Sequence, residues 1–241
     1  MRASFRNGAI DDPPPTATVD RCAKLGAMST VRTLDDRAAV RDEVIAALRA
    51  PELVVVPTDT VYGVIADAFN PKATMALRDA KELAPTAPLT VLIRNPRQVT
   101  GLVSDIPDAA DRLMASYWPG PLTIVLPATD GLTWDIGTRT VVALRMPTDE
   151  LLLEVIADIG PVVCSTAARP VDEVPHTVAA AQAALGDSIA LYVDGGECSG
   201  EWSTIVDLTR DHATVLREGA IAGDDIEVVA AGRVGWGKVP D

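Results

Sequence analysis

Several short stretches of this 241-residue chain join hydroxyl, carboxylate and guanidinium groups to the glycines and prolines that shape binding turns. Val56-Pro57-Thr58-Asp59-Thr60-Val61-Tyr62-Gly63 follows the apolar run Leu53–Val56. It offers two hydroxyls, a carboxylate and a phenol where a buried strand would end, which is where open α/β sheets place ligands. The local alternative is a turn in which Asp59 and Thr58 bond their own backbone. Trp118-Pro119-Gly120-Pro121-Leu122-Thr123 reads as a rigid turn opening a strand, with φ fixed at its prolines, Gly120 free to take positive φ and Thr123 available to a ligand. Arg145 and Arg217 each close a strand, before Met146-Pro147 and Glu218-Gly219. Such a pair could clamp a carboxylate or phosphate, or be two solvated edge charges.

Cys164-Ser165-Thr166-Ala167-Ala168 ends another strand with hydroxyls. A nucleophilic Ser165 would need a base, for which the sequence has only His176 and His212, and no G-x-S-x-G surrounds it, so a serine hydrolase is set aside. Cys164 follows apolar residues and is expected to be a buried small hydrophobe. Walker A, G-x-G-x-x-G, H-E-x-x-H and EF-hand spacings are missing, and no metal site is expected.

The elements that must position these residues follow from hydrophobic period. From Asp35, Ala39, Val40, Val44, Ala47 and Leu48 fall at helical spacing up to Pro51. Asn70 followed by Pro71 predicts a capped helix start. Further helices are predicted over Asp108–Ser116, Asp149–Asp158 and Thr177–Leu185. Strands are expected over Leu89–Ile93, Leu122–Leu126, Thr140–Leu144, Pro161–Cys164, Ile189–Val193, Thr204–Leu208 and Thr214–Leu216. This alternation predicts one α/β domain over residues 31–222 with a twisted, mixed open sheet flanked by helices. Residues 1–30, with Pro13-Pro14-Pro15, are expected to be a disordered lead, with Met28 an alternative start, and residues 223–241 a C-terminal tail.

Composition narrows the functional classes. Aromatics are 4% of the chain, so aliphatic side chains do most of the packing. The formal charge of −13 disfavours binding to a phosphate backbone. Three cysteines, Cys22, Cys164 and Cys198, lack C-x-x-C spacing, which suits a reducing compartment. No long apolar run suggests a membrane span, and a cytoplasmic location is expected.

Taken in order, Pro57–Gly63, Asp67-Ala-Phe-Asn70, Ala80-Lys81, Pro88-Leu89, Trp118–Thr123, Leu144-Arg-Met-Pro147, Asp194-Gly-Gly196, Ser203-Thr-Ile-Val-Asp207 and Val215-Leu-Arg217 resemble the Sua5/YrdC/YciO family of threonylcarbamoyl-adenylate synthases. The matches run from about residue 35 to 221. The resemblance implies the YrdC-like fold. It also implies a reaction in which threonine's amine captures CO2 from bicarbonate and the carbamate attacks the α-phosphate of ATP, serving the t6A modification of tRNA. ATP, with Mg2+, is then a substrate and no tightly bound cofactor is implied. The product would pass to a downstream threonylcarbamoyl transferase.

Residue by residue, the resemblance implies that Thr58, Thr123, Arg145, Ser165, Thr166 and Ser203 bind substrate and that Lys81 and Arg217 act on the reacting groups. Departures from the pattern accompany it. Where the family carries Lys-x-Arg, only Lys81 remains and Leu83 replaces the arginine; Ala87 precedes Pro88; and in the Ser-x-Asn motif Thr166 and Ala168 take the two polar positions. Those losses frame an alternative, a paralogue that binds a nucleotide or small carboxylate without turnover. Arg169, Arg94 and Arg97 are the residues that could substitute. Direct RNA binding is not expected.

Overall fold

The computed structural model describes residues 29–137, 140–198 and 200–233. The predicted lead up to residue 28, with Cys22 and Met28, and the last eight residues of the predicted tail lie outside the described residues.

The helices are α1 (Arg37–Arg49), α2 (Pro71–Ala80), α3 (Asp108–Tyr117), α4 (Glu150–Ile159), α5 (Val178–Leu185) and α6 (Gly223–Ala230). The strands are β1 (Thr30–Thr33), β2 (Val54–Val56), β3 (Gly63–Asp67), β4 (Thr90–Leu92), β5 (Leu122–Pro127), β6 (Val141–Arg145), β7 (Val162–Thr166), β8 (Leu191–Asp194), β9 (Thr204–Asp207) and β10 (Thr214–Arg217). They form one ten-stranded open sheet in the order β1-β8-β2-β3-β7-β4-β6-β5-β9-β10. Pairing is mixed: β2 runs parallel to β8 and antiparallel to β3, and β5 runs parallel to β9 and antiparallel to β6.

Successive strand residues point to opposite faces, and the core divides accordingly. Val54 and Val56 pack with Val40, Val44, Leu48, Leu152 and Val155 of α1 and α4, whereas Val55 and Val64 pack on the other face with Leu77, Leu113 and Ile226. Both faces are covered, which is why β2 reads as an unbroken apolar run. The helix starts have local causes: Asn70 accepts from Lys72 N–H at 3.1 Å with Pro71 at the first helical position, and Asp149 and Thr177 cap α4 and α5.

Three elements differ from expectation. β1 begins at Thr30, inside the expected lead, because it pairs in parallel with β8. β3 was not foreseen, since Gly63–Asp67 directly continues the turn motif. The segment after residue 222 is no tail where it is described: α6 buries Ile226 and Ala230 against α3, and Arg112 of α3 donates to the Ala230 carbonyl. The domain therefore extends to at least Ala230. No helix among the described residues is long and apolar enough to cross a membrane.

Candidate active site

The ends of strands from β2 across to the β10 edge make the site. The turn at residues 57–62 leaves β2, β7 ends at Thr166, β6 ends at Arg145, β5 opens at Leu122 and Thr123, and β9 and β10 bring Ser203 and Arg217. Together they enclose a cavity of about 250 Å³ whose wall includes Thr58, Thr123, Arg145, Ser165, Thr166, Ser203 and Arg217.

Arg145 is anchored on three sides. Its Nε donates to the Gly120 carbonyl at 3.1 Å, Nη1 to Thr60 Oγ1 at 3.1 Å and Nη2 to Asp59 Oδ1 at 2.8 Å. Only 8% of the residue is exposed. Asp59 therefore does not turn back on its own backbone; it neutralises a buried guanidinium. Thr58 does serve the turn: its hydroxyl donates to the Val61 carbonyl at 2.6 Å and accepts from the N–H groups of Thr60 and Val61. Its hydroxyl is committed inward, although Thr58 lines the cavity.

Arg217 sits opposite. Its Nη2 donates to the Ser203 carbonyl at 2.8 Å and to Ser203 Oγ at 3.2 Å, and its guanidinium carbon lies 4.8 Å from the centre of the Trp202 ring. Ser203 Oγ and Thr123 Oγ1 are 3.0 Å apart and both residues are buried. Ser203 Oγ accepts from Arg217, and either hydroxyl of the Ser203–Thr123 pair can donate to the other. Burial, and then the nearby charge of Arg145, lower the Arg217 pKa. Asp59 already balances Arg145, so an anion entering the cavity would chiefly offset Arg217.

Lys81 stands behind the wall. At the C-terminal end of α2, its Nζ donates to Ser165 Oγ at 2.7 Å and to the Thr166 carbonyl, while the residue is 5% exposed. Burial lowers its pKa to about 8. It reaches the cavity through the hydroxyl it holds. Cys164 also lines the cavity, half-buried and packed against the core, and desolvation pushes its thiol up to about 11, so it is a poor nucleophile near neutral pH. Tyr62 is spent on structure. Its hydroxyl accepts from Gly195 N–H at 3.1 Å and donates to the Gly196 carbonyl at 2.7 Å, locking the loop after β8 onto the turn.

The substitutes for the missing polar residues do not enter the cavity. Arg169 pairs with Glu82 at 3.0 Å through Nε and donates to the Ala184 carbonyl at the end of α5. Arg94 and Arg97 are exposed and outside the cavity wall. Leu83 packs against the core and Ala168 is buried. Thr60, the Asp59–Arg145 pair and the Trp202–Arg217 stack went unassigned in the sequence. The two pairings had no local signal, since each joins an arginine at a strand end to a residue in a turn or loop elsewhere in the sequence.

Comparison with known proteins shows what the chain as a whole is similar to. The Sua5/YciO/YrdC family model, described as "Telomere recombination", matches residues 46–219. A putative threonylcarbamoyl-AMP synthase of Mycobacterium tuberculosis is 38% identical over 187 residues, covering 77% of this chain and 86% of that protein. The threonylcarbamoyl-AMP synthase of Bacillus subtilis is 36% identical, over 76% of this chain and 54% of its own length. Among solved structures, Pyrococcus abyssi Sua5 complexed with L-threonine superposes with a TM-score of 0.77 at 30% identity, over 83% of this chain and 61% of that one. The chain thus spans about six-tenths or less of these last two proteins.

Proposed function

The chain belongs to the Sua5/YciO/YrdC family, and from that premise we propose that it forms threonylcarbamoyl-adenylate from L-threonine, bicarbonate and ATP, for the t6A modification of tRNA in the cytoplasm. The observation that carries the reading is the convergence of Arg145 and Arg217 on one hydroxyl-lined cavity. Such a cavity gathers anions and stabilises charge developing on phosphorus. The relatives named as synthases, and the relative bound to L-threonine, support it.

In this reading threonine lies beside Thr123, Ser203 and the turn at Thr58. Bicarbonate takes up a proton and loses water to give CO2; the amine nitrogen bonds to that CO2 and sheds a proton, which balances the one taken up, so water is the net by-product. The resulting carbamate oxygen bonds to the α-phosphorus of ATP, the bond to the bridging oxygen breaks, and pyrophosphate leaves with the electron pair. Arg217 and Arg145 offset the charge, and Ser165 and Thr166, backed by Lys81, meet the phosphates. Mg2+ arrives with the triphosphate, a mode that suits an ion keeping several waters; among the described residues no three His, Cys, Asp or Glu side chains gather to hold a metal. The product passes to a downstream transferase.

One observation favours a second reading, binding without turnover. Leu83 and Ala168 supply no polar contact, and Arg169 is engaged elsewhere. A charge-assisted hydrogen bond is worth about 1.5–3 kcal/mol, so the lost arginine alone corresponds to about 10- to 150-fold. The deciding experiment is pyrophosphate release from ATP with threonine, bicarbonate and Mg2+, comparing the native chain with Leu83→Arg/Ala168→Asn. Turnover by the native chain supports the synthase. Silence of the native chain with activity in the double variant supports the binding paralogue.

A further inference from the structure

The proposed reaction brings three substrates together, yet the arginine cavity, at about 250 Å³, falls below the roughly 300–1,000 Å³ that holds drug-sized ligands. Part of the nucleotide must lie outside it. Beside it opens a second cavity of about 500 Å³, whose wall includes His176, Gly200, Glu201 and Glu218. Trp202 and Arg217 belong to both walls.

Trp202 is 42% exposed, unusual for so large an apolar ring, and the Arg217 guanidinium stacks on it. Its backbone is fixed. The Trp202 carbonyl accepts from Ala220 N–H at 2.9 Å and lies so close to Gly219 that a Cβ there would collide with it. A planar ring held in place, partly open to solvent and backed by a cation is a platform for another flat ring.

We propose that the purine base of ATP stacks on Trp202 in the second cavity, with the triphosphate turned over the Arg217 edge into the first. Charge sets this direction: Glu201 and Glu218 line the second cavity and repel phosphates, while Arg217 draws them to the hydroxyl-lined first cavity, where Asp59 already balances Arg145. The inference rests on the synthase reading only for the identity of the nucleotide.

The test compares the native chain with Trp202→Leu and Trp202→Phe. Stacking of a base on an aromatic ring is worth about 1–3 kcal/mol, so in Trp202→Leu the KM for ATP rises about 5- to 150-fold while that for threonine stays within about 2-fold. Trp202→Phe recovers most of the loss. Inhibition by inorganic tripolyphosphate, which has no base, stays unchanged; a general structural defect would weaken it too. An unchanged KM for ATP in Trp202→Leu overturns the proposal and leaves the synthase reading standing. If the native chain releases no pyrophosphate, the synthase reading falls, and equilibrium dialysis with ATP decides the subsite. Weaker ATP binding by Trp202→Leu supports it, whereas equal binding, or none by the native chain, overturns it.

Discussion

Arg145 and Asp59, 86 residues apart in sequence, meet at 2.8 Å with side chains only 9% and 12% exposed. The pair fixes the turn after β2 to the end of β6, and so sets the distance between two walls of the cavity. Removing the carboxylate leaves a buried guanidinium without its counter-charge, which typically costs about 3–5 kcal/mol. Asp59→Ala is expected to lose about 3 kcal/mol of unfolding free energy in urea; a loss below about 1 kcal/mol would show the pair to be solvent-screened.

Lys81 gives a pH signature. Its folded pKa of about 8 lies below the ordinary 10.5, so the unfolded chain holds more protons between those values and stability rises with pH across that window. The burial penalty is fully present below about pH 8 and relieved toward pH 10.5. Subtracting the urea stability of Lys81→Met from that of the native chain should isolate this rise from other groups. A flat difference between pH 7 and 10 contradicts the burial of the charge.

The same titration should reach ligand binding. As pH climbs through about 8, Lys81 loses its charge behind Ser165, and ATP affinity should fall. In Lys81→Arg, which stays charged, the fall disappears. Isothermal titration at pH 7 and 9 measures it, and an ATP affinity equal at both values in the native chain refutes the link.

Gly200 lies against the turn so closely that a Cβ would stand 2.6 Å from the Thr60 Cα and 2.7 Å from the Asp59 carbonyl oxygen. Overpacking of this kind costs about 1–3 kcal/mol. Gly200→Ala should therefore lower the melting temperature and also weaken threonine binding, because the displaced turn carries Thr58 and Asp59. Unchanged threonine affinity would mean that the turn yields without reshaping the cavity.

Arg169 clips Glu82 to the end of α5. Half-exposed pairs contribute about 0–1 kcal/mol, so Arg169→Ala should cost no more than about 1 kcal/mol and leave the KM for ATP unchanged. A large rise in that KM would show that Arg169 leaves Glu82 when the nucleotide arrives.

The helices were legible where a cap and a period agree, as at Asn70-Pro71 before α2 and Asp149 before α4. β3 was not, because Gly63–Asp67 has no turn residue separating it from the preceding motif; only its pairing between β2 and β7 makes it a strand. α6 is only eight residues long and has no side-chain cap to mark its start, and Ile226 and Ala230 become core positions only because α3 covers them. In the site, the residue types could be read from the motifs. Their partnerships could not, since Asp59 finds Arg145, and Lys81 finds Ser165, through a strand order that no local pattern encodes. The inward commitment of the Thr58 hydroxyl is likewise a matter of hydrogen-bond geometry, invisible in composition.

The sheet order also bears on how the protein is made. β9 comes late in the chain yet docks beside β5, with β10 on its outer side, and β1 waits for β8, some 160 residues downstream. Such distant pairings slow folding. During synthesis from the N-terminus, the ribosome has delivered the turn at Thr58 and the anchored Arg145 well before Ser203 and Arg217 exist. A nascent chain stalled before β9 would carry half of the anion grip with an open sheet edge at β5, so this is the stage at which a chaperone has most to protect.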